Sequence, residues 1–113
     1  MSESEFLDLA DATLNAIEAA LDRLNEQDMT DVECSRSGNV LEIEFVDNGS
    51  KVIVNSQAAM QELWVAARAG GFHYKRINGQ WINTRDGSEL FAALSEITTA
   101  QGGAPVVLSE QPN

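Results

Sequence analysis

Asp8, Asp11, Asn15, Glu18, Asp22 and Glu26 follow one another at steps of three and four residues. On an α-helix turning about 100° per residue they fall within a stripe about 80° wide, a continuous line of oxygen donors. Carboxylates without a neighbouring imidazole or thiolate suit hard or borderline cations that keep exchangeable water, among them Fe²⁺, Mn²⁺, Mg²⁺ and Ca²⁺. Sites made of one or two exposed carboxylates hold an ion weakly and discriminate little. The spacing does not match a calcium loop, whose ligands alternate through twelve residues around a glycine. The competing reading is a merely solvated helix face. Against it, Glu18 with Asp22 and Asp22 with Glu26 are like-charge pairs, each costing about 0.2–0.5 kcal/mol. Glu26 also opposes the helix macrodipole, and a face kept only for solubility would intersperse lysine. The stripe reads as a functional acidic surface.

Other chemistry has less support. Cys34 and His73 are the only cysteine and histidine, about forty positions apart. A single histidine is more often structural than a ligand, and Cys34 on a strand reads as a small core residue. One cysteine permits no internal disulfide, and one histidine does not complete a zinc set, so a reducing compartment is expected. Gly70 and Gly71 lack the fingerprint of a phosphate loop.

The acidity is concentrated. The chain has 113 residues, with 18 Asp and Glu against 7 Lys and Arg, for a net charge of −11. Thirteen of the acids and only Arg23 and Arg36 among the bases lie in residues 1–47, whereas residues 48–113 sum to zero. Such asymmetry favours a localised surface for cations or a basic partner over a general solubility charge. It argues against nucleic acid and anionic membranes as partners. No apolar run approaches the roughly 20 residues that span a bilayer. The first twenty residues carry acids and no base, the reverse of a targeting segment, so a soluble cytoplasmic protein is expected.

The elements that position these residues follow from periodicity. Ser4 is placed to cap a helix whose apolar positions Phe6, Leu9, Ala10, Thr13, Ile17, Ala20, Leu21 and Leu24 oppose the acidic stripe. A polar loop with Asp28 and Asp31 leads to a strand near Val32, and Leu41, Ile43 and Phe45 alternate with Glu42 and Glu44 on the next. Asn48–Gly49 and Asn78–Gly79 mark two hairpins. Ala58–Ala69 favours helix by propensity, although Leu63 and Val65 alternate with Trp64 and Ala66 as on a strand; Gly70 and Gly71 end the segment either way. Ser88 is placed to cap a last helix carrying Leu90, Phe91, Leu94 and Ile97. The expected fold is α+β, a two-layer sandwich with N- and C-terminal helices on one face of an antiparallel sheet. Residues 1–103 form a single domain, and 104–113 a tail whose Val106, Val107 and Leu108 are available to dock in the groove between the helices. Of Trp81 and Ile82, one faces the helices and the other the open sheet face; periodicity leaves open which, and an exposed Trp81 would be a contact anchor.

Asn48, Gly49, Ser50, Lys51, Asn55, Gln57, Trp64, Gly70, Gly71, Phe72, His73, Tyr74, Trp81, Arg85, Gly87 and Phe91, in this order and spacing, resemble the bacterial branch of the frataxin family over residues 4–100. The resemblance implies the same two-layer fold and a strand through Glu62–Ala67. It implies a protein that is not an enzyme, binds ferrous and ferric iron weakly at surface carboxylates, and feeds or regulates a complex of cysteine desulfurase and iron–sulfur scaffold. The family's acidic ridge maps onto Asp11, Glu18, Asp22, Glu26, Asp28, Asp31 and Glu33. Partner contacts map onto Glu18 and Asp22, and onto Asn55, Gln57 and an exposed Trp81 on the sheet. Ala19 and Arg23 stand where bacterial relatives often carry second acids, and Ala58 where a proline is common. A monomer able to oligomerise with iron is expected. The alternatives are a metal-independent allosteric regulator of the desulfurase and, less favoured, a ferroxidase, which would require paired buried ligands.

Overall fold

A computed structural model of the chain describes residues 1–110. Helix α1 (Glu3–Glu26) is followed by strands β1 (Val32–Ser37), β2 (Val40–Phe45), β3 (Lys51–Gln57), β4 (Glu62–Ala67), β5 (Gly70–Ile77) and β6 (Gln80–Asn83), and by helix α2 (Leu90–Gly102). The strands form one antiparallel sheet in the order β1-β2-β3-β4-β5-β6, so β1 and β6 are its edges. Both helices cover one face, and the expected α+β sandwich is the observed one.

The helix starts correct the sequence expectation by short steps. Ser2, not Ser4, caps α1: its hydroxyl accepts from the Glu5 amide and the Glu5 carboxylate accepts from the Ser2 amide, each at 3.1 Å. Glu5 lies three residues after Ser2, whereas Leu7 occupies that place after Ser4, so only Ser2 closes the reciprocal pair. Glu89 rather than Ser88 caps α2. Its carboxylate accepts from Phe91 N at 2.9 Å and Ala92 N at 3.1 Å, while the Ser88 hydroxyl donates to Asp86 at 2.6 Å.

Alternation sorts the sheet's side chains. Leu41, Ile43, Phe45, Val52, Val54, Leu63, Val65 and Tyr74 point to the helices and pack with Phe6, Leu14, Ile17, Leu21, Leu90 and Leu94. β4 is a central strand, paired on both sides; burial of Leu63 and Val65 outweighs the helix propensity of their neighbours. Gly70 and Gly71 do not terminate β4 but open β5, opposite Ala67 and Ala66. At β5–β6 the turn residues Asn78 (φ 51°) and Gly79 (φ 79°) are left-handed, as a two-residue hairpin with strand twist requires. Beyond α2, Val106 and Leu108 enter the same core while Val107 is 77% exposed. Residues 111–113 of the expected tail lie outside the described residues.

Candidate functional site

The acidic stripe of α1 runs along the border between the helix layer and edge strand β1. One carboxylate of its N-terminal part, Asp11, is neutralised. Arg36 of β1 pairs with Asp11, donates to Asn15 Oδ1 at 2.7 Å and is braced by the Gly38 carbonyl at 2.8 Å. Further along, Glu18 is half-buried and Asp22 and Glu26 are exposed.

Asn25 shapes the loop that continues the ridge. Its amide donates to Val32 O at 2.9 Å and its carbonyl accepts from Val32 N at 3.1 Å, tying the end of α1 to the start of β1. The short return puts Asp28 in the left-handed region (φ 57°), which Asp tolerates better than most residues. Asp31 is held through its carbonyl, which accepts from Val46 N at 3.1 Å. Asp28, Asp31 and Asp47 line one open cleft with Asn25 and Thr30. Glu33 sits on the open side of β1, opposite Glu44.

Among the described residues Glu18, Asp22, Glu26, Asp28, Asp31 and Glu33 form no ion pair. Arg23 does not quench them: its guanidinium donates to the Ser109 carbonyl at 3.4 Å, toward the tail. Cys34 faces the helix layer beneath this stretch. Burial, then the Asp22 and Glu18 carboxylates, push its thiol up to about 12, the reverse of an activated nucleophile. No group of three His, Cys, Asp or Glu among the described residues is arranged to hold a metal ion. The ridge is thus a surface of separate carboxylates, suited to weakly held, exchangeable cations or to a basic protein face.

The open sheet face presents a second cluster. Asn55, Trp64 and His73 stand in one cross-strand rank, and Gln57, Glu62, Lys75 and Ile82 in the next. Asn55, Gln57 and Trp64 are half-buried. The assignment of Trp81 to this face is incorrect. Its register partner is Arg76, and Trp81 points to the helices with 1% exposure. There its indole donates to Thr13 Oγ1 at 2.8 Å, Phe6 meets it edge-on at 6.0 Å, and the Arg76 guanidinium lies 5.4 Å from its centre. Ile82 takes the open side. Alternation fixes that the two differ, but the choice is made by Thr13 and Phe6, distant in sequence. The tryptophan of the open face is Trp64, stacked on His73 with ring centres 4.5 Å apart and planes at 11°.

Sequence reasoning therefore missed Glu62, Trp64 and His73 as one group, and Asp47 as a ridge neighbour. Both were readable from hairpin register, which sets Trp64 beside His73 and brings the β2–β3 turn to the end of α1.

Comparison with known proteins places these surfaces in context. Residues 1–104 match the family model described as a frataxin-like domain. The iron-sulfur cluster assembly protein CyaY of Janthinobacterium sp. (strain Marseille) is 69% identical over 110 residues, covering 97% of this chain and 98% of the relative. Frataxin from Psychromonas ingrahamii superimposes with a TM-score of 0.87 at 33% identity, covering 96% of this chain and 99% of that one. A trimeric frataxin from the yeast Saccharomyces cerevisiae, complexed with ferrous iron, superimposes at 0.67 with 28% identity, over 83% and 85% of the two chains.

Proposed function

The chain belongs to the frataxin-like family, and from that premise we propose that it serves iron–sulfur cluster assembly as an iron-binding protein that supplies or regulates a cysteine desulfurase and scaffold complex. In this reading it is not itself an enzyme and works in the bacterial cytoplasm; among the described residues no helix is long and apolar enough to cross a membrane. The observation that carries the reading is the run of carboxylates from Glu18 through Glu33, which no side-chain cation of the described residues neutralises.

Iron is the cargo. Glu18, Asp22, Glu26, Asp28, Asp31 and Glu33 supply single carboxylates for Fe²⁺ and Fe³⁺, hard to borderline ions that accept oxygen donors. Asp11 belongs to the ridge by position, but Arg36 competes for it. Because the donors lie along the surface and do not converge, binding is weak and multiple, which suits an ion to be passed on. Neutralised by iron, the ridge also loses the repulsion that keeps copies apart, so iron-dependent oligomerisation belongs to the same reading. Glu18 and Asp22 additionally dock the basic surface of the desulfurase, and the open sheet face with Asn55, Gln57 and Trp64 meets the assembly partners.

The test is the variant Glu18→Gln, Asp22→Asn, Asp28→Asn, Asp31→Asn, titrated with Fe²⁺ and with the desulfurase. Both affinities should fall; wild-type values for both would end the proposal. The lack of a convergent three-ligand group among the described residues favours a second reading, in which metal is incidental and the protein acts allosterically. Full modulation of desulfurase turnover by metal-free protein would select it.

A further inference from the structure

Glu62 is 4% exposed although it lies on the open sheet face, where its neighbours His73 and Lys75 have side chains about half exposed (49% and 52%). Its Oε1 accepts from the Trp64 indole at 2.8 Å and lies 3.2 Å from His73 Nδ1; its Oε2 is 3.8 Å from Lys75 Nζ. The arrangement follows from register. Glu62 and Trp64 are two residues apart on one strand and share a face, while Lys75 and His73 stand opposite them on β5. A buried carboxylate is costly unless it is paired and hydrogen-bonded, and here one oxygen gathers both rings.

The consequence falls on Trp64. Its edge is held by Glu62, its face rests on His73, and His73 is tied to the same oxygen. From this geometry we infer that Glu62 is a positioning residue for docking: it holds the Trp64 indole fixed against His73 before a partner arrives, so that the ordering of this side chain does not count against association. The inference rests on the reading that the Trp64 face meets the assembly partners. Immobilising a rotamer-rich side chain at an interface costs an amount equivalent to about two- to tenfold in affinity, and that is the loss expected when the indole is released.

The experiment pairs the indole N–H signals of the ¹⁵N-labelled chain with its affinity for the desulfurase and scaffold complex. Trp64→Phe assigns the two indole signals. In Glu62→Ala the Trp64 indole proton should exchange faster with solvent and its nitrogen relax as a mobile group, while the Trp81 indole, held by Thr13, stays unchanged. Affinity should fall about two- to tenfold. Glu62→Gln retains an acceptor oxygen and should restore both readouts. Should Glu62→Ala fold poorly, Glu62→Met fills the same space without an acceptor and should reproduce the loosened indole. A Trp64 indole that remains ordered in Glu62→Ala and Glu62→Met overturns the inference, as does a loosened indole with unchanged affinity. Loss of no affinity in Trp64→Ala overturns instead the reading of the open face as a docking surface.

Discussion

Thr13 is a β-branched residue in the middle of a helix, and its hydroxyl does two jobs there: it donates to the Leu9 carbonyl at 2.7 Å and accepts the buried Trp81 indole at 2.8 Å. Thr13→Val keeps the shape but leaves the indole N–H without a partner, a loss of about 1–3 kcal/mol in urea unfolding. Thr13→Ser keeps the hydroxyl and should cost clearly less; equal losses would mean that the bond to Trp81 contributes nothing. Cys34 gives a pH prediction. Because burial and the Asp22 and Glu18 carboxylates raise its thiol to about 12, the folded state prefers the protonated form. The associated stability is complete below the ordinary thiol range near 8.5 and is lost as pH climbs from there toward 12. Reaction with a disulfide reagent at pH 8 should be slow, faster in Glu18→Gln with Asp22→Asn, and fastest in urea. Rates that do not change with the two carboxylates would remove their part in the shift. The inert cysteine was legible from the sequence, whereas the buried tryptophan was not: alternation on a strand gives two faces but no sign, and the sign came from Thr13 on another element.

Between elements, the decisive contacts are again distant ones. The strand β4 runs through a segment that local propensity assigns to helix; its pairing with β3 and β5 and the inward Leu63 and Val65 prevail. The helix caps were misplaced by one or two residues because serine is a common cap, and only the acceptor geometry of Glu5 and Glu89 selects the true site. The tail docks through two of the three apolar residues expected to do so: Val106 and Leu108 are buried, whereas Val107 faces solvent. Val106 is clasped by Thr99, whose hydroxyl accepts from its amide at 3.0 Å and donates to its carbonyl at 3.2 Å, and Leu108 N donates to Ser95 Oγ at 2.8 Å. With Arg23 of α1 reaching the Ser109 carbonyl, the strap bridges both helices. Truncation after Gly103 exposes core surface that Val106 and Leu108 now cover, worth about 2–4 kcal/mol after the entropy of the freed segment is counted. The midpoint of thermal unfolding should drop by about 8 °C or more. Val107→Ser, at a position 77% exposed, should leave it unchanged. A truncated chain that melts like the full one would mean that the strap is seated without stabilising.

At the scale of the molecule, the charge asymmetry and the tryptophan face become parts of one surface. The ridge follows α1 and the loop to edge strand β1, and Glu33, Glu42 and Glu44 carry acidity round that edge onto the open face, where Trp64 lies two strands further in. Lys51, 3.6 Å from Glu42, interrupts it only locally. The concentration of charge was legible from composition along the chain; its continuity with the aromatic platform needed the register. In the proposed docking the two parts act at different ranges. Carboxylates attract a basic partner over roughly a Debye length, about 8–10 Å near physiological salt, and so govern encounter. A packed indole acts only on contact, and so governs escape. Neutralising Glu18, Asp22, Asp28 and Asp31 takes the net charge from −11 to −7. In stopped-flow binding to the desulfurase this variant should associate more slowly and show a flatter dependence of rate on salt, with dissociation little altered. Trp64→Ala should do the reverse, dissociating faster while its association rate keeps the wild-type dependence on salt. If the neutralised variant retains the full salt slope, attraction originates elsewhere on the chain. If Trp64→Ala flattens that slope, the two parts do not divide encounter from retention.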